Sequence, residues 1–206
     1  MGLFSFAGRL FFRQNNEDEN IKVVFFGLGN PGEKYRYSRH NVGFRVIDSF
    51  NTTLSERQRV FFPNADFTRG ISDSGIPVAT VKPLTFMNRS GTAVAAVLNK
   101  WKTPRNRCLV VVDDFNLPLG TIRARRSGSD GGHNGLKSVI GRIGSDFPRL
   151  RIGIGPMTEK TDVLDFVLGN FSESEEGIVA GVVERASESL KIFAAEGIDA
   201  VMNMYN

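Results

Sequence analysis

The feature that most narrows the fold is an alternation of two periodicities. Short apolar runs of strand length are separated by segments whose apolar residues recur every three to four positions. Ile21-Lys22-Val23-Val24-Phe25-Phe26 is a β-branched and aromatic run stopped by Gly27, and Val42, Val46, Ile47 and Phe50 then follow at helical spacing. Asp66 to Ile71 and Ile76 to Val81, joined by Ser72-Asp73-Ser74-Gly75 and closed by Pro83, predict a β-hairpin. Ala93, Val94, Val97, Leu98 and Trp101 predict an amphipathic helix that packs on the core. Strands are predicted at Cys108 to Val112, Thr121 to Arg125 and Arg149 to Gly155, with a helix over Gly135 to Ile143 burying Leu136, Val139, Ile140 and Ile143.

Ser172 with Glu175 is a capping box for a long helix whose apolar side is Ile178, Val179, Val182, Ala186, Leu190 and Phe193, ended near Gly197. A short last helix is predicted over Asp199 to Met204. Strands alternating with helices predict one three-layer α/β domain over residues 21–206, with a mixed, mainly parallel central sheet flanked by helices. A chain of 206 residues, 41% of them hydrophobic, is large enough to bury one core of that kind, and it shows no internal repeat or second domain.

Composition removes several classes of chemistry. Cys108 is the only cysteine, so intrachain disulfides and thiolate metal centres are excluded, and its place in Cys108-Leu109-Val110-Val111-Val112 reads as a buried thiol in a reducing compartment. Two histidines, His40 and His133, are too few for a multi-histidine metal site. No apolar run approaches the roughly 20 residues that span a bilayer. Residues 1–20 read as a flexible extension ending in the polar linker Asn15-Asn16-Glu17-Asp18-Glu19-Asn20. Residues 1–14 carry arginine and no acid, so a targeting peptide for an organelle is the alternative to a disordered tail, and a myristoylation signal is missed because position six is Phe. The expected location is the cytoplasm and the expected state a monomer.

Charge is unevenly spread. Residues 121–151 hold seven basic side chains (Arg123, Arg125, Arg126, Lys137, Arg142, Arg149, Arg151) against Asp130 and Asp146, whereas residues 161–206 hold nine acids against two bases. One face is therefore expected to meet a polyanion, although a basic helix face in water is the plainer reading for Lys137 and Arg142.

Ligands of open α/β sheets bind in the loops at strand carboxyl ends, which directs attention to four polar clusters. Gly27-Leu28-Gly29-Asn30-Pro31-Gly32, followed by Tyr35 and Arg39-His40-Asn41, formally satisfies GxGxxG after a strand. Pro31 inside the loop, no helical pattern at Gly32 and no acid closing a second strand weigh against a dinucleotide site. Thr85-Phe86-Met87-Asn88-Arg89-Ser90-Gly91 opens a helix, where Asn88 is a site residue or a cap. Asp113-Asp114-Phe115-Asn116 ends a strand, and an acid there is a site residue or a loop cap. Gly128-Ser129-Asp130-Gly131-Gly132-His133-Asn134-Gly135 is a glycine-rich turn into a helix, which binds an anion or simply connects.

Taken in order with Arg-Leu-Arg-Ile-Gly-Ile-Gly at 149–155, these clusters resemble the bacterial-type peptidyl-tRNA hydrolases over roughly residues 21–205. The resemblance implies hydrolysis of the ester between a peptide and the 3′-terminal adenosine of tRNA, which rescues prematurely released peptidyl-tRNA without cofactor or metal. It places the catalytic histidine at His40, its carboxylate at Asp113 and the site asparagines at Asn30, Asn88 and Asn134. It puts Tyr35, Phe86 and Met87 along the cleft beside Asn88 and Asn134, and gives Arg123, Arg125 and Arg151 to tRNA phosphates.

The residue types suit that chemistry. A histidine titrating near neutrality can take a proton from water, and a carboxylate can hold its tautomer. Neutral amides can donate to a developing oxyanion and accept from the attacking water without adding charge. No serine or cysteine sits in a nucleophile elbow. Core packing competes for Phe86 and Met87. Asp130, unusual for its loop, is expected to trim RNA affinity, and Asn116 stands where an acid is common. Two rival functions are a non-enzymatic RNA-binding relative, which would need none of the His40, Asp113 and asparagine constellation, and a nucleotide-dependent oxidoreductase.

Overall fold

A computed structural model describes residues 21–157 and 162–206. The amino-terminal extension, with its targeting and linker expectations, lies outside the described residues. The strands are β1 (Val23–Gly27), β2 (Ser55–Phe62), β3 (Ala65–Ile71), β4 (Pro77–Pro83), β5 (Cys108–Pro118), β6 (Ile122–Arg125) and β7 (Arg149–Gly155). They form one sheet in the order β2-β3-β4-β1-β5-β7-β6. β1 pairs in parallel with β4 and β5, and β5 with β7, while β3 is antiparallel to both β2 and β4 and β6 is antiparallel to β7. The sheet is thus mixed, and only β3 and β6 run against the common direction.

The central strands are buried on both faces, which is why they read as unbroken apolar runs. Val23 and Phe25 of β1, with Leu109 and Val111 of β5, meet α1 (Val42–Asn51) and α5 (Glu173–Glu196) on one face. Val24 and Phe26, with Cys108, Val110 and Val112, meet α2 (Ser90–Lys100) and α3 (Asn134–Ile143) on the other. Phe25 packs edge-on against Phe50 and Phe193, with ring centroids 5.0 and 5.9 Å apart. Each such ring contributes roughly 1.5–3 kcal/mol by its burial. Burial pushes the Cys108 thiol up to about 12, so it is a packing residue and not a nucleophile.

α4 (Val163–Leu168) precedes α5, and α6 (Ile198–Tyr205) ends the chain. The capping box at the head of α5 is formed: the Ser172 N–H donates to Glu175 Oε2 at 2.7 Å. Ile178, expected on the apolar side of α5, is exposed, because the buried stripe runs through Val179, Val182 and Val183 and leaves Ile178 at the rim over Gly120. Among the described residues no helix is long and apolar enough to cross a membrane.

Candidate active site

The site gathers past the carboxyl end of β1 and midway along β5, where Asp113 lies in a strand that the sequence pattern ended at Val112 and that continues to Pro118. His40 lies in a 3₁₀ turn, Arg39–Asn41, that runs directly into α1. Two glycines set the height of that turn above the sheet. A Cβ on Gly43 would stand 2.6 Å from the Leu28 carbonyl oxygen and 2.7 Å from that of Val111, and one on Gly27 would stand 2.3 Å from the Gly43 oxygen. The backbone of α1 therefore rests directly on the end of β1 and on β5. Arg39 anchors the turn from outside. Its backbone N–H donates to the Gly169 oxygen at 2.9 Å, its guanidinium pairs with Glu175 at 2.9 Å, and it lies over the Phe166 ring.

His40 Nδ1 is 2.8 and 2.9 Å from the two carboxylate oxygens of Asp113, and both side chains are buried. A carboxylate accepts, so Nδ1 carries the proton and Nε2 is left with its lone pair free. Asp113 receives a second donor, His133 Nε2, 2.9 Å from Oδ1. His133 Nδ1 in turn accepts from the backbone N–H groups of Gly135 and Leu136 at 3.0 and 3.1 Å, so this imidazole is also the N-cap of α3. For Asp113, burial alone would raise the pKa, but the two imidazoles outweigh it and hold the carboxyl well below the usual range. For His40, burial alone would lower the pKa, but the charge of Asp113 and its hydrogen bond outweigh that and raise it above 6.5.

Asn30 is buried and oriented by two neighbours. Its backbone N–H donates to Asn41 Oδ1 at 2.8 Å, Asn41 Nδ2 donates back to its carbonyl at 3.0 Å, and its own Oδ1 accepts from the Met87 N–H at 2.8 Å. The Nδ2 donor face of Asn30 is thereby fixed. Asn88 and Asn134 are exposed and sit one residue beyond Met87 and His133, so the structure ties all three asparagine segments to one cluster. Asn41 and His133 are the residues that sequence reasoning did not assign. Asn41 adjoined His40 in the motif, but its partner is set by tertiary folding.

Tyr35 and the exposed Phe86 meet edge-on at 6.4 Å between centroids and form an aromatic wall. Met87, expected to line the cleft, is 4% exposed and packed in the core under α2, because a Cβ-less Gly135 lets its sulfur lie against α3; its part in the site is its backbone N–H. Asp130, expected to trim RNA affinity, has a structural part in the loop. Its Oδ1 accepts from the Gly132 N–H at 2.8 Å and its carbonyl from the His133 N–H at 2.9 Å, while Gly131 and Gly132 take φ of 57° and 84°.

The basic run divides. Arg123 is exposed and is the register partner of Arg151 across β6 and β7, so the two side chains emerge on one face. Arg151 is ion-paired with the buried Asp114, and Arg125 is half-buried with Nη1 on the Ala124 oxygen at 2.9 Å. Arg126 pairs with Asp199. Arg149, counted in the sequence with the polyanion-facing residues, is 2% exposed and cannot serve there. Its guanidinium donates to the carbonyls of Gly128 at 2.7 Å, Ser129 at 3.1 Å and Ser145 at 2.7 Å, and stacks on Phe147. It holds the base of the glycine-rich loop.

His40, Asp113 and His133 also bring metal-ligand types within 4.8 Å of one another. The nitrogens facing Asp113 are at hydrogen-bond distance from it, and the other nitrogen of His133 is taken by backbone, so an ion there would have to displace those bonds.

A family model for peptidyl-tRNA hydrolase matches residues 24–206. The chain is 41% identical over 184 residues to the peptidyl-tRNA hydrolase of Fervidobacterium nodosum, covering 89% of this chain and 96% of that protein. It is 44% identical over 185 residues to that of a Thermotoga species, covering 89% and 97%. Among solved structures it is similar to peptidyl-tRNA hydrolase from Acinetobacter baumannii, with a TM-score of 0.83, 32% identity, and 91% and 95% of the two chains covered. A peptidyl-tRNA hydrolase in complex with n-propanol gives 0.84 at 31% identity, with 90% and 94% covered.

Proposed function

Because the chain belongs to the peptidyl-tRNA hydrolase family, we propose that it hydrolyses the ester between a peptide and the 3′-terminal adenosine of tRNA by direct attack of water, with His40 as the base. The observation that carries this reading is the buried His40–Asp113 pair, because it leaves one imidazole lone pair, on Nε2, in the turn whose next residue, Asn41, holds the backbone of Asn30. Nε2 takes a proton from water as the oxygen bonds to the ester carbon. Asp113 stabilises the imidazolium that forms, and the same proton then passes to the departing 3′-oxygen of the adenosine. Asn30 Nδ2, with the exposed amides of Asn88 and Asn134, donates to the oxyanion and positions the water and the peptide; Tyr35 and Phe86 offer a face for an apolar group. Preorganisation favours Asn30 in particular, since its orientation is set before substrate arrives.

The tRNA approaches over β6 and β7. Arg123 is the exposed phosphate ligand, with Arg125 and Arg151 beside it, and Arg151 must trade its pairing with Asp114 for a phosphate. The protein works as a cytoplasmic monomer, which sedimentation of the chain alone and with tRNA would check. The chemistry is tested by mixing excess enzyme with peptidyl-tRNA, quenching at short times and running aminoacyl-tRNA as control. Free tRNA and peptide should appear together. Persistent ester, or a peptide trapped on the protein, would contradict the reading.

A further inference from the structure

The chain has two histidines, and the proposed chemistry uses one. The second stands with its ring centroid 4.9 Å from that of His40 and is held at both nitrogens. We propose that His133 is a positioning residue that sets the basicity of His40 through the carboxylate they share. The inference rests on the reading of His40 as the base.

The geometry dictates the proton positions. His133 Nδ1 accepts two backbone N–H groups at the head of α3 and cannot carry a proton without losing both, so its proton sits on Nε2 and points at Asp113 Oδ1. The two rings are then opposite tautomers, Nδ1–H for His40 and Nε2–H for His133, and both donate to one carboxylate. The partial positive charge at the start of α3 polarises the His133 ring toward stronger donation. Each donor draws on the same negative charge, so the proton that His133 lends Asp113 reduces the pull of Asp113 on the proton of His40. His133 thus keeps His40 basic enough to accept a proton from water but not so basic that it stays protonated at working pH.

Other charges near His133 are already engaged. The small cavity beside it is lined by Asp114, which is paired with Arg151 of β7, and by Asp130, whose Oδ1 is held by the Gly132 N–H. Asp113 of β5 and His40 ahead of α1 also face it, the first at hydrogen-bond distance and the second ring to ring.

The variant His133→Asn separates the two duties of the ring. Asparagine is a strong N-cap, so α3 keeps an acceptor at its head, but its shorter side chain cannot also reach Asp113. In this variant, made without a tag, His40 is the only imidazole, and an NMR titration reads it alone. The His40 titration is expected to rise by about half a pH unit or more, and the acid limb of kcat/KM to move with it, giving about threefold lower activity at a pH below both limbs. A capping role alone would lower stability and leave the titration in place; an unchanged or lowered titration overturns the proposal. The wild-type protein gives a second reading that needs no variant, since nitrogen shifts should show a bare Nδ1 on His133 and a bare Nε2 on His40. The reverse pattern on His133 also overturns it. A shifted His40 titration combined with full activity of His40→Ala would instead remove the assignment of His40 as base and leave the control by His133 standing.

Discussion

His40 is useful because one of its nitrogens is occupied. In the proposed reaction the bond from Nδ1 to Asp113 leaves Nε2 to meet water, and it raises the affinity of the ring for a proton. Because the pKa of His40 is raised, kcat/KM should climb with pH along a limb centred above 6.5, as the ring loses its proton in the free enzyme. A pH–rate profile with full activity already at pH 6 would contradict it. Asp113→Asn keeps the shape but replaces a charge-bearing acceptor with an amide that can present its NH₂ to Nδ1. The expected loss in kcat is roughly 10²–10⁴-fold, with the acid limb moved down, and steady-state kinetics across pH separate the two effects. Asn30 has a structural duty as well as a chemical one. Truncating it to alanine strands the Met87 N–H and should lower stability by about 1–3 kcal/mol in a denaturant melt, in addition to lowering kcat.

The site is only as well placed as the elements under it. Gly43→Ala would push α1 off the end of β1 and off β5 at Val111 and carry His40 away from Asp113. A loss of about 1–3 kcal/mol in stability and a fall in kcat larger than any change in KM are expected, measured by chemical denaturation and kinetics on the same preparation. Much of this scale was legible in the chain. β1 and β5 announced themselves as apolar runs because both faces of each are covered, β7 by the alternation of Leu150, Ile152 and Ile154, and the capping box of α5 is local chemistry that needs no partner. β2 was not legible. Ser55-Glu56-Arg57-Gln58-Arg59 is an exposed edge whose side chains carry no burial signal. α4 is six residues long, too short for a period to emerge. In the site, the motifs named His40, Asp113 and the asparagines, and the structure puts His40 and Asn30 after β1 and Asp113 within β5, but the partners of His133, Asn41 and Arg149 depend on segments meeting across the fold. Arg149 reads like any other arginine of a basic stretch until β7 is laid inside the sheet.

Across the whole molecule, sheet order sets the proposed phosphate ligands of β6 apart from the proposed base. His40 and Asn30 belong to β1 and its loops, while Arg123 and Arg125 belong to the edge strand β6, two strands beyond β5. Arg123→Ala should therefore weaken tRNA binding and flatten its salt dependence by about one unit of slope, with single-turnover cleavage at saturation unchanged. A peptidyl-adenosine substrate without the acceptor stem should not sense the substitution; equal losses on both substrates would place Arg123 in the chemistry instead. The central claim, that the imidazole of His40 removes the proton from water, is tested most directly by single-turnover cleavage of peptidyl-tRNA by His40→Ala beside wild type, at saturating enzyme and matched fold stability. The account expects cleavage at least about 10²-fold slower with tRNA affinity retained; equal rates for the two proteins would contradict it.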